Sequence, residues 1–73
     1  MNDYEKTLET LAKNIRKRRA ELKISQDELA YLAGVHRAYI GSVERAEKNI
    51  TIGSIYKIAK ALNITINELI ANN

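Results

Sequence analysis

The side chains best suited to chemistry lie in two stretches, a basic run from Arg16 to Arg19 and a mixed stretch from His36 to Arg45. A guanidinium presents a planar fork of N–H donors, which suits phosphates, carboxylates and the acceptor edge of guanine. Covalent and metal chemistry lack their usual residues, because the sequence contains no cysteine and only one histidine. These residue types favour a protein that binds an anion over an enzyme, and they predict neither a metal nor a cofactor.

The length, charge and apolar runs of the chain also limit the classes of protein to which it can belong. It has 73 residues, with 12 Lys and Arg against 9 Asp and Glu, and a formal net charge of +3. A chain of this size builds one small domain, so residues 1–73 are predicted to form a single domain. Its apolar runs are too short for a membrane span or a signal peptide, and the absence of cysteine excludes a disulfide framework. We therefore expect a cytoplasmic protein.

The apolar residues and caps predict an all-α fold of five helices. Leucine and isoleucine recur at helical spacing in the first third of the chain. Capping boxes begin at Ser25 and Thr65, Thr51 can cap another helix, and Gly34 suits the left-handed residue that ends one. The residues assigned to the five apolar faces are, in order, Leu8, Leu11, Ile15 and Leu22; Leu29, Ala30 and Leu32; Ile40 and Val43; Ile52, Ile55, Ile58, Ala59 and Leu62; and Ile66, Leu69 and Ile70.

Two charged residues interrupt these apolar faces. Arg19 follows Ile15 by four positions on the first helix, and Glu44 follows Ile40 by four positions on the third. A buried charge is costly unless an opposite charge meets it. We therefore predict a buried or half-buried ion pair between Arg19 and Glu44 that bridges the first and third helices. The alternative is that each side chain reaches solvent separately.

The second and third predicted helices have the layout of a helix-turn-helix, at about residues 25–45. In that motif the second helix enters the major groove of DNA. Arg37, in its first turn, would donate two hydrogen bonds to a guanine, while Ala38 and Ser42 would face base edges. Gly41 weakens the middle of a helix and has no evident purpose other than close approach to DNA. The alternative is a solvated helix of weak propensity.

Three runs of residues resemble the Cro/C1-type (XRE) helix-turn-helix family, namely Ile24 to Ala30, Ala33 to Ile40 and Val43 to Arg45. Within that family, the run from Arg37 to Arg45 followed by Lys48 to Thr51 is most similar to controller proteins of restriction-modification systems. The resemblance implies a compact bundle of the lambda-repressor-like type that binds double-stranded DNA.

The resemblance also implies roles for individual residues, including a structural ion pair at Arg19 and Glu44. Base contacts are implied for Arg37, Ala38 and Ser42, and contacts to the DNA backbone or from a loop for Gln26, Tyr39, Lys48 and Asn49. For Asn49, a role in the turn is the alternative. His36 is expected to begin the third helix, near a phosphate. Tyr39 has packing against the second helix as an alternative. The solvated Arg16 and Lys17 either contact phosphates directly or add only long-range attraction. Two departures from the family are Ala46, where a glycine usually ends the third helix, and Ala38, which offers no hydrogen bond.

A second copy of the chain is expected, because one recognition helix reads only a few base pairs. Two copies with their helices about 34 Å apart would match the half-sites of a palindromic operator. The resemblance implies a homodimer formed through the fourth and fifth helices, at about residues 52–71. The apolar patch assigned to this interface is Ile64, Ile66, Leu69 and Ile70, and the alternative is that these residues only close the core.

The predicted function is sequence-specific regulation of transcription, with the resemblance favouring the controller that times expression of a restriction endonuclease. A phage-type repressor and an antitoxin-like module that binds its own promoter are the alternatives. RNA polymerase is a further candidate partner through Asp27, Glu28 and Glu47, for which capping and solvation are the alternative roles.

Overall fold

The computed structural model describes residues 2–47 and 50–72, which contain five α-helices and no strand. The helices are α1 (Asp3–Leu22), α2 (Gln26–Ala33), α3 (Arg37–Glu44), α4 (Ile52–Ala61) and α5 (Ile66–Ile70). The predicted all-α, five-helix fold is therefore confirmed, with the helix-turn-helix in α2 and α3. Across these described ranges, no helix combines the length and the apolar character needed to cross a membrane.

Local capping sets the starts of the helices. Asn2, Ser25 and Thr65 each form a capping box with the glutamate three residues later, and the Thr51 hydroxyl caps α4. His36 occupies the N-cap position of α3 without a side-chain cap. Because a cap depends on residues close in sequence, most of these starts could be predicted from the chain alone.

The breaks between helices each pass through a residue in the left-handed region. Lys23, Gly34, Ala46 and Asn63 have φ angles of 57°, 71°, 59° and 58°. Ala46 thus adopts the conformation of the glycine it replaces, at a cost of about 1–2 kcal/mol. The end of α3 therefore keeps the left-handed turn without a glycine.

The core is aliphatic and draws on all five helices. Four residues predicted on apolar faces are instead exposed, namely Leu22, Leu32, Ile52 and Ile70, at 38%, 57%, 71% and 40%. Three of them lie at a helix end and Leu32 lies outside the inward-facing side of α2, so neighbouring helices do not cover them. The largest fully buried side chains are Leu11, Ile15, Leu29, Ile40, Ile58, Leu62 and Leu69.

Helix α1 carries three side chains that bind the C-terminal ends of three other helices. Asn14 Nδ2 donates to two carbonyl oxygens at the end of α5, at 2.7 and 2.9 Å. Arg18 Nε donates to the C-cap carbonyl of α4 at 2.9 Å, and Arg16 Nη1 donates to the last carbonyl of α3. The last carbonyls of a helix have no partner within it. Side chains of α1 therefore supply partners to α3, α4 and α5.

A buried carboxylate joins α1, α2 and α3. Glu44 is 5% exposed and accepts from Arg19 Nε and Nη2 at 2.8 and 3.0 Å. Gln26 Nε2 donates to the same carboxylate at 2.9 Å, and Arg19 Nη1 donates to the carbonyl of Ile24 at 3.1 Å. The predicted ion pair is present, and Gln26 is an additional member that the sequence did not indicate. We call Arg19, Gln26 and Glu44 the carboxylate network.

The ionised form of Glu44 is favoured in the fold. Burial alone would raise the pKa of this carboxyl, but hydrogen bonds from Arg19 and Gln26, with the charges of Arg19 and Arg16, hold the pKa below its ordinary value. The hydrogen bond to Glu44 in turn raises the pKa of Arg19. Because the folded pKa of Glu44 is lowered, its stabilising effect is present above the ordinary carboxyl pKa and is lost as the pH falls through the folded value.

We expect the Glu44→Gln substitution to lower the free energy of unfolding by about 3 kcal/mol, because it leaves Arg19 half-buried without a counter-charge. For a chain of this size, that loss corresponds to a fall of about 12–24 °C in the melting temperature. The difference between wild type and variant should shrink as the pH falls below about 4.3, the ordinary glutamate pKa. Thermal melts between pH 7 and pH 3 measure both effects.

The matched control is Glu21→Gln, which removes the same charge from an exposed pair with Arg18 on α1. An exposed pair contributes at most about 1 kcal/mol. Equal losses in the two variants would contradict the structural role assigned to the carboxylate network.

Candidate nucleic-acid interface

Helix α3 has one side in the core and the other toward solvent. Ile40 and Val43 are buried, whereas Ala38 is exposed and Arg37, in the first turn, keeps 64% of its side chain exposed. Ser42 is half-buried, and its hydroxyl donates to the carbonyl of Tyr39 at 2.9 Å. That bond leaves the Ser42 oxygen able to accept a hydrogen bond from a ligand. The three residues predicted to contact bases therefore lie together on one accessible side of α3.

Gly41 lies beneath the guanidinium of Arg45. The glycine is buried, and a Cβ atom at this position would come within 3.2 Å of Arg45 Nη1. Glu47 holds the same guanidinium, with its Oε2 2.8 Å from Arg45 Nε and its Oε1 3.4 Å from Nη2. The glycine therefore lets the Arg45 guanidinium lie close against α3. Arg45 was not predicted as a site residue. Its position four residues after Gly41, on the same face of a helix, was the signal that could have indicated this contact.

The guanidinium of Arg37 pairs with a carboxylate of α2. Arg37 Nε lies 3.0 Å from Asp27 Oδ1, and the two side chains are 64% and 74% exposed. Ten positions separate the two residues. The sequence gives no sign of this pair, because it depends on how α2 and α3 cross.

Gln26 is turned toward the interior. The residue is half-buried and its amide nitrogen donates to Glu44, so it stabilises the motif. A second N–H of that amide remains, so a phosphate contact stays a prediction. His36 is exposed at the N-cap of α3, where it can meet a phosphate. Tyr39 packs against the core, and its hydroxyl is buried without a hydrogen-bond partner among the described residues, which favours the packing alternative.

The basic residues of α1 differ in whether they bind groups within the chain or lie exposed at its surface. Arg16, Arg18 and Arg19 each bind a carbonyl or carboxylate within the chain. Arg16 nevertheless borders a groove beside the C-terminal end of α3, where Arg45 and Lys13 also lie. The exposed Lys17 borders a different groove, beside α5. The two residues predicted as phosphate contacts therefore lie on different sides of α1, and only Arg16 is near α3.

Five further residues were predicted to contact DNA or RNA polymerase. Of these, Lys48 and Asn49 lie outside the described residues.

The three acids predicted to contact RNA polymerase are each engaged within the chain. Glu28 forms the capping box of α2, Asp27 pairs with Arg37, and Glu47 pairs with Arg45. Within residues 2–47 and 50–72, no group of three or more His, Asp or Glu residues is placed to hold a metal ion.

The predicted dimer patch is partly interior. Leu69 is fully buried in the single chain, because α5 packs this side chain against the core, so it adds no exposed surface to the patch. Ile64 and Ile66 are half-buried, and Ile70 is 40% exposed. Ile64 and Ile66 instead line a groove of about 600 Å³ between α4 and α5, together with Tyr56, which is 57% exposed. We call Tyr56, Ile64 and Ile66 the α4–α5 groove.

Known proteins share this architecture and much of this sequence. The control protein C.SmaI from Serratia marcescens is 47% identical over 62 residues, which are 85% of this chain and 74% of that protein. The crystal structure of the restriction-modification controller protein C.AhdI from Aeromonas hydrophila gives a TM-score of 0.80 at 39% identity, covering 85% of this chain and 94% of that one. The hypothetical transcription factor NHTF from Neisseria gives a TM-score of 0.87 at 35% identity, covering 97% and 82%.

The family assignment agrees with the geometry of α2 and α3. Residues 15–69 match the helix-turn-helix family HTH_3, and this range contains all of α2, α3 and α4 and most of α5. The resemblance to XRE-type regulators is therefore confirmed. The chain belongs to the HTH_3 (XRE-type) helix-turn-helix family of DNA-binding regulators, which are not enzymes.

Proposed function

We propose that this chain is the controller of a restriction-modification system and binds a palindromic DNA operator as a homodimer in the cytoplasm. The observation that carries the proposal is the accessible side of α3, where Arg37, Ala38 and Ser42 lie together on a helix whose other side is fixed in the core. The named activities of C.SmaI and C.AhdI support the controller role in particular.

The accessible side of α3 has the chemistry needed to read base edges. The Arg37 fork can donate to guanine O6 and N7, which discriminates against other bases by about 1–3 kcal/mol. The methyl of Ala38 suits contact with a thymine methyl, and the Ser42 oxygen can accept from a base amino group. Because the side chains of Ala38 and Ser42 are small, the helix can lie close to the floor of the major groove.

A fixed orientation of α3 is the second requirement. Sequence reading needs the helix to enter the groove at one angle, since base contacts depend on distances of a few tenths of an ångström. The carboxylate network ties the C-terminal residue of α3 to α1 and α2. Arg16 binds the last carbonyl of the same helix. These bonds support a rigid presentation of Arg37 to DNA.

The α4–α5 groove is the surface we assign to the dimer. Its apolar members are accessible while the core around Leu69 is already complete. Tyrosine is enriched at protein interfaces because its ring buries a large area while its hydroxyl keeps a polar partner. Two copies joined here would each present α3, and binding of both half-sites would supply the affinity that one small domain lacks.

Selection of bound duplexes from a randomised DNA library tests the function. At about 150 mM salt, nonspecific attraction to phosphates is partly suppressed, so enrichment reports base contacts. We expect a palindrome with half-site centres about 34 Å, or one helical turn, apart. Failure to enrich any sequence would overturn the proposal. Enrichment only in the presence of a coexpressed protein would instead favour the antitoxin-like alternative.

Arg37→Ala and Lys17→Ala should affect binding to the selected operator differently. The loss of Arg37 should remove preference at one base pair of each half-site, by about 1–3 kcal/mol per site. The loss of Lys17, which lies beside α5, should weaken binding to all duplexes alike and by less, with a small fall in the salt dependence. Titration of both variants against operators substituted at single positions measures the difference, and identical profiles would contradict these roles.

Tyr56→Asp should convert a dimer into a monomer in sedimentation equilibrium, because it places a charge in the apolar part of the α4–α5 groove. Tyr56 is exposed in the single chain, so the fold should be unchanged by circular dichroism. Tyr31→Asp is the matched control, since Tyr31 is 86% exposed on α2. A dimeric Tyr56→Asp variant would place the interface elsewhere.

A further inference from the structure

The two exposed arginines on the DNA-facing side of the motif are each paired with a carboxylate. Arg37 Nε lies 3.0 Å from Asp27 Oδ1, and Arg45 Nε lies 2.8 Å from Glu47 Oε2. All four side chains are more than half exposed, between 51% and 74%. Acidic side chains beside a surface that meets phosphates oppose binding. Their position next to both arginines therefore calls for a physical reason.

Helix capping does not account for Asp27. The start of α2 is capped by Ser25 and Glu28, which exchange hydrogen bonds at 3.0 and 3.1 Å. Asp27 takes no part in that capping box, and Arg37 is its ion-pair partner in the described structure. Both acids lie in the first turn of α2, where a negative charge favours the helix dipole, and Asp27 is in addition placed against Arg37.

A carboxylate at this distance affects phosphates and bases unequally. Phosphates attract a guanidinium whatever the base sequence of the DNA, and this attraction supplies the nonspecific affinity for DNA. The charge of Asp27 offsets that of Arg37 and repels a nearby phosphate. A guanine edge carries no net charge and offers Arg37 two acceptors, so the same carboxylate opposes it much less. A repulsive group that penalises the wrong partner more than the right one raises specificity.

We infer that Asp27 is a specificity-determining residue, which lowers the affinity of Arg37 for DNA of unrelated sequence while sparing its contact with the operator. This inference rests on the proposed function. Asp27 acts through Arg37 by charge and need not touch a base. The pair of Arg45 with Glu47 repeats the arrangement at the other end of α3.

Asp27→Asn tests this role, with Glu21→Gln as the charge-matched control on α1. Fluorescence anisotropy would measure the affinity of each variant for the selected operator and for a scrambled duplex of equal length and composition. We expect Asp27→Asn to increase affinity for the scrambled duplex about two- to fivefold more than the control does, the range open to an exposed ion pair. Affinity for the operator should change less, so the ratio of the two affinities should fall. Asp27→Ala should behave alike, which excludes a new contact made by the asparagine amide.

The same comparison in an Arg37→Ala background shows whether Asp27 acts through Arg37. In that background, we expect Asp27→Asn and Glu21→Gln to have equal effects on both duplexes. Wild-type preference for the operator together with an unchanged ratio in Asp27→Asn would overturn the inference alone. An effect that persists without Arg37 would also overturn it. A wild-type chain that does not prefer the operator would overturn the proposed function and the inference with it.

Discussion

The carboxylate of Glu44 is the interaction on which the arrangement of the motif depends. Its charge is stable in the interior only because Arg19 from α1 and Gln26 from α2 both donate to it. A half-formed version of this network would leave a buried charge without partners, which costs more than an apolar core in the same place. The three helices therefore reach their final arrangement together, and the orientation of α3 follows from electrostatics as well as from packing.

The arginines of this chain fall into two groups with different roles. Those of α1 bind carbonyl and carboxylate oxygens of the chain itself, so their charge is used in holding α3 and α4 in place. Among the described residues, the exposed arginines at the two ends of α3 pair with surface carboxylates. A basic composition alone would have assigned all of them to an anionic partner. The contacts show that the three arginines of α1 are engaged within the chain, so the number of basic residues overstates the number available to an anionic partner.

Much of the fold and part of the site could be predicted from the sequence. Helix starts and the turn at Gly34 follow from neighbouring residues, and the Arg19–Glu44 pair follows from two charges out of place on apolar faces. The pairing of Arg37 with Asp27 and the burial of Leu69 depend on how helices cross, which periodicity does not specify. The bonds made by Asn14, Arg16 and Arg18 are of the same kind, because solvent and a helix end offer equally good partners to a polar side chain.

The contacts of Asn14 have a consequence for how the chain folds during its synthesis. Its amide binds carbonyls 55 and 57 positions later in the sequence, and Arg18 binds one 44 positions later. Helix α1 leaves the ribosome first, yet its partners are among the last residues of α4 and α5 to appear. Contacts of such long range are slow to form and add little until the intervening loops have closed. The contacts of α1 with Ile24 and Glu44 can therefore form before α5 emerges, whereas the bonds of Asn14 must wait for the end of α5.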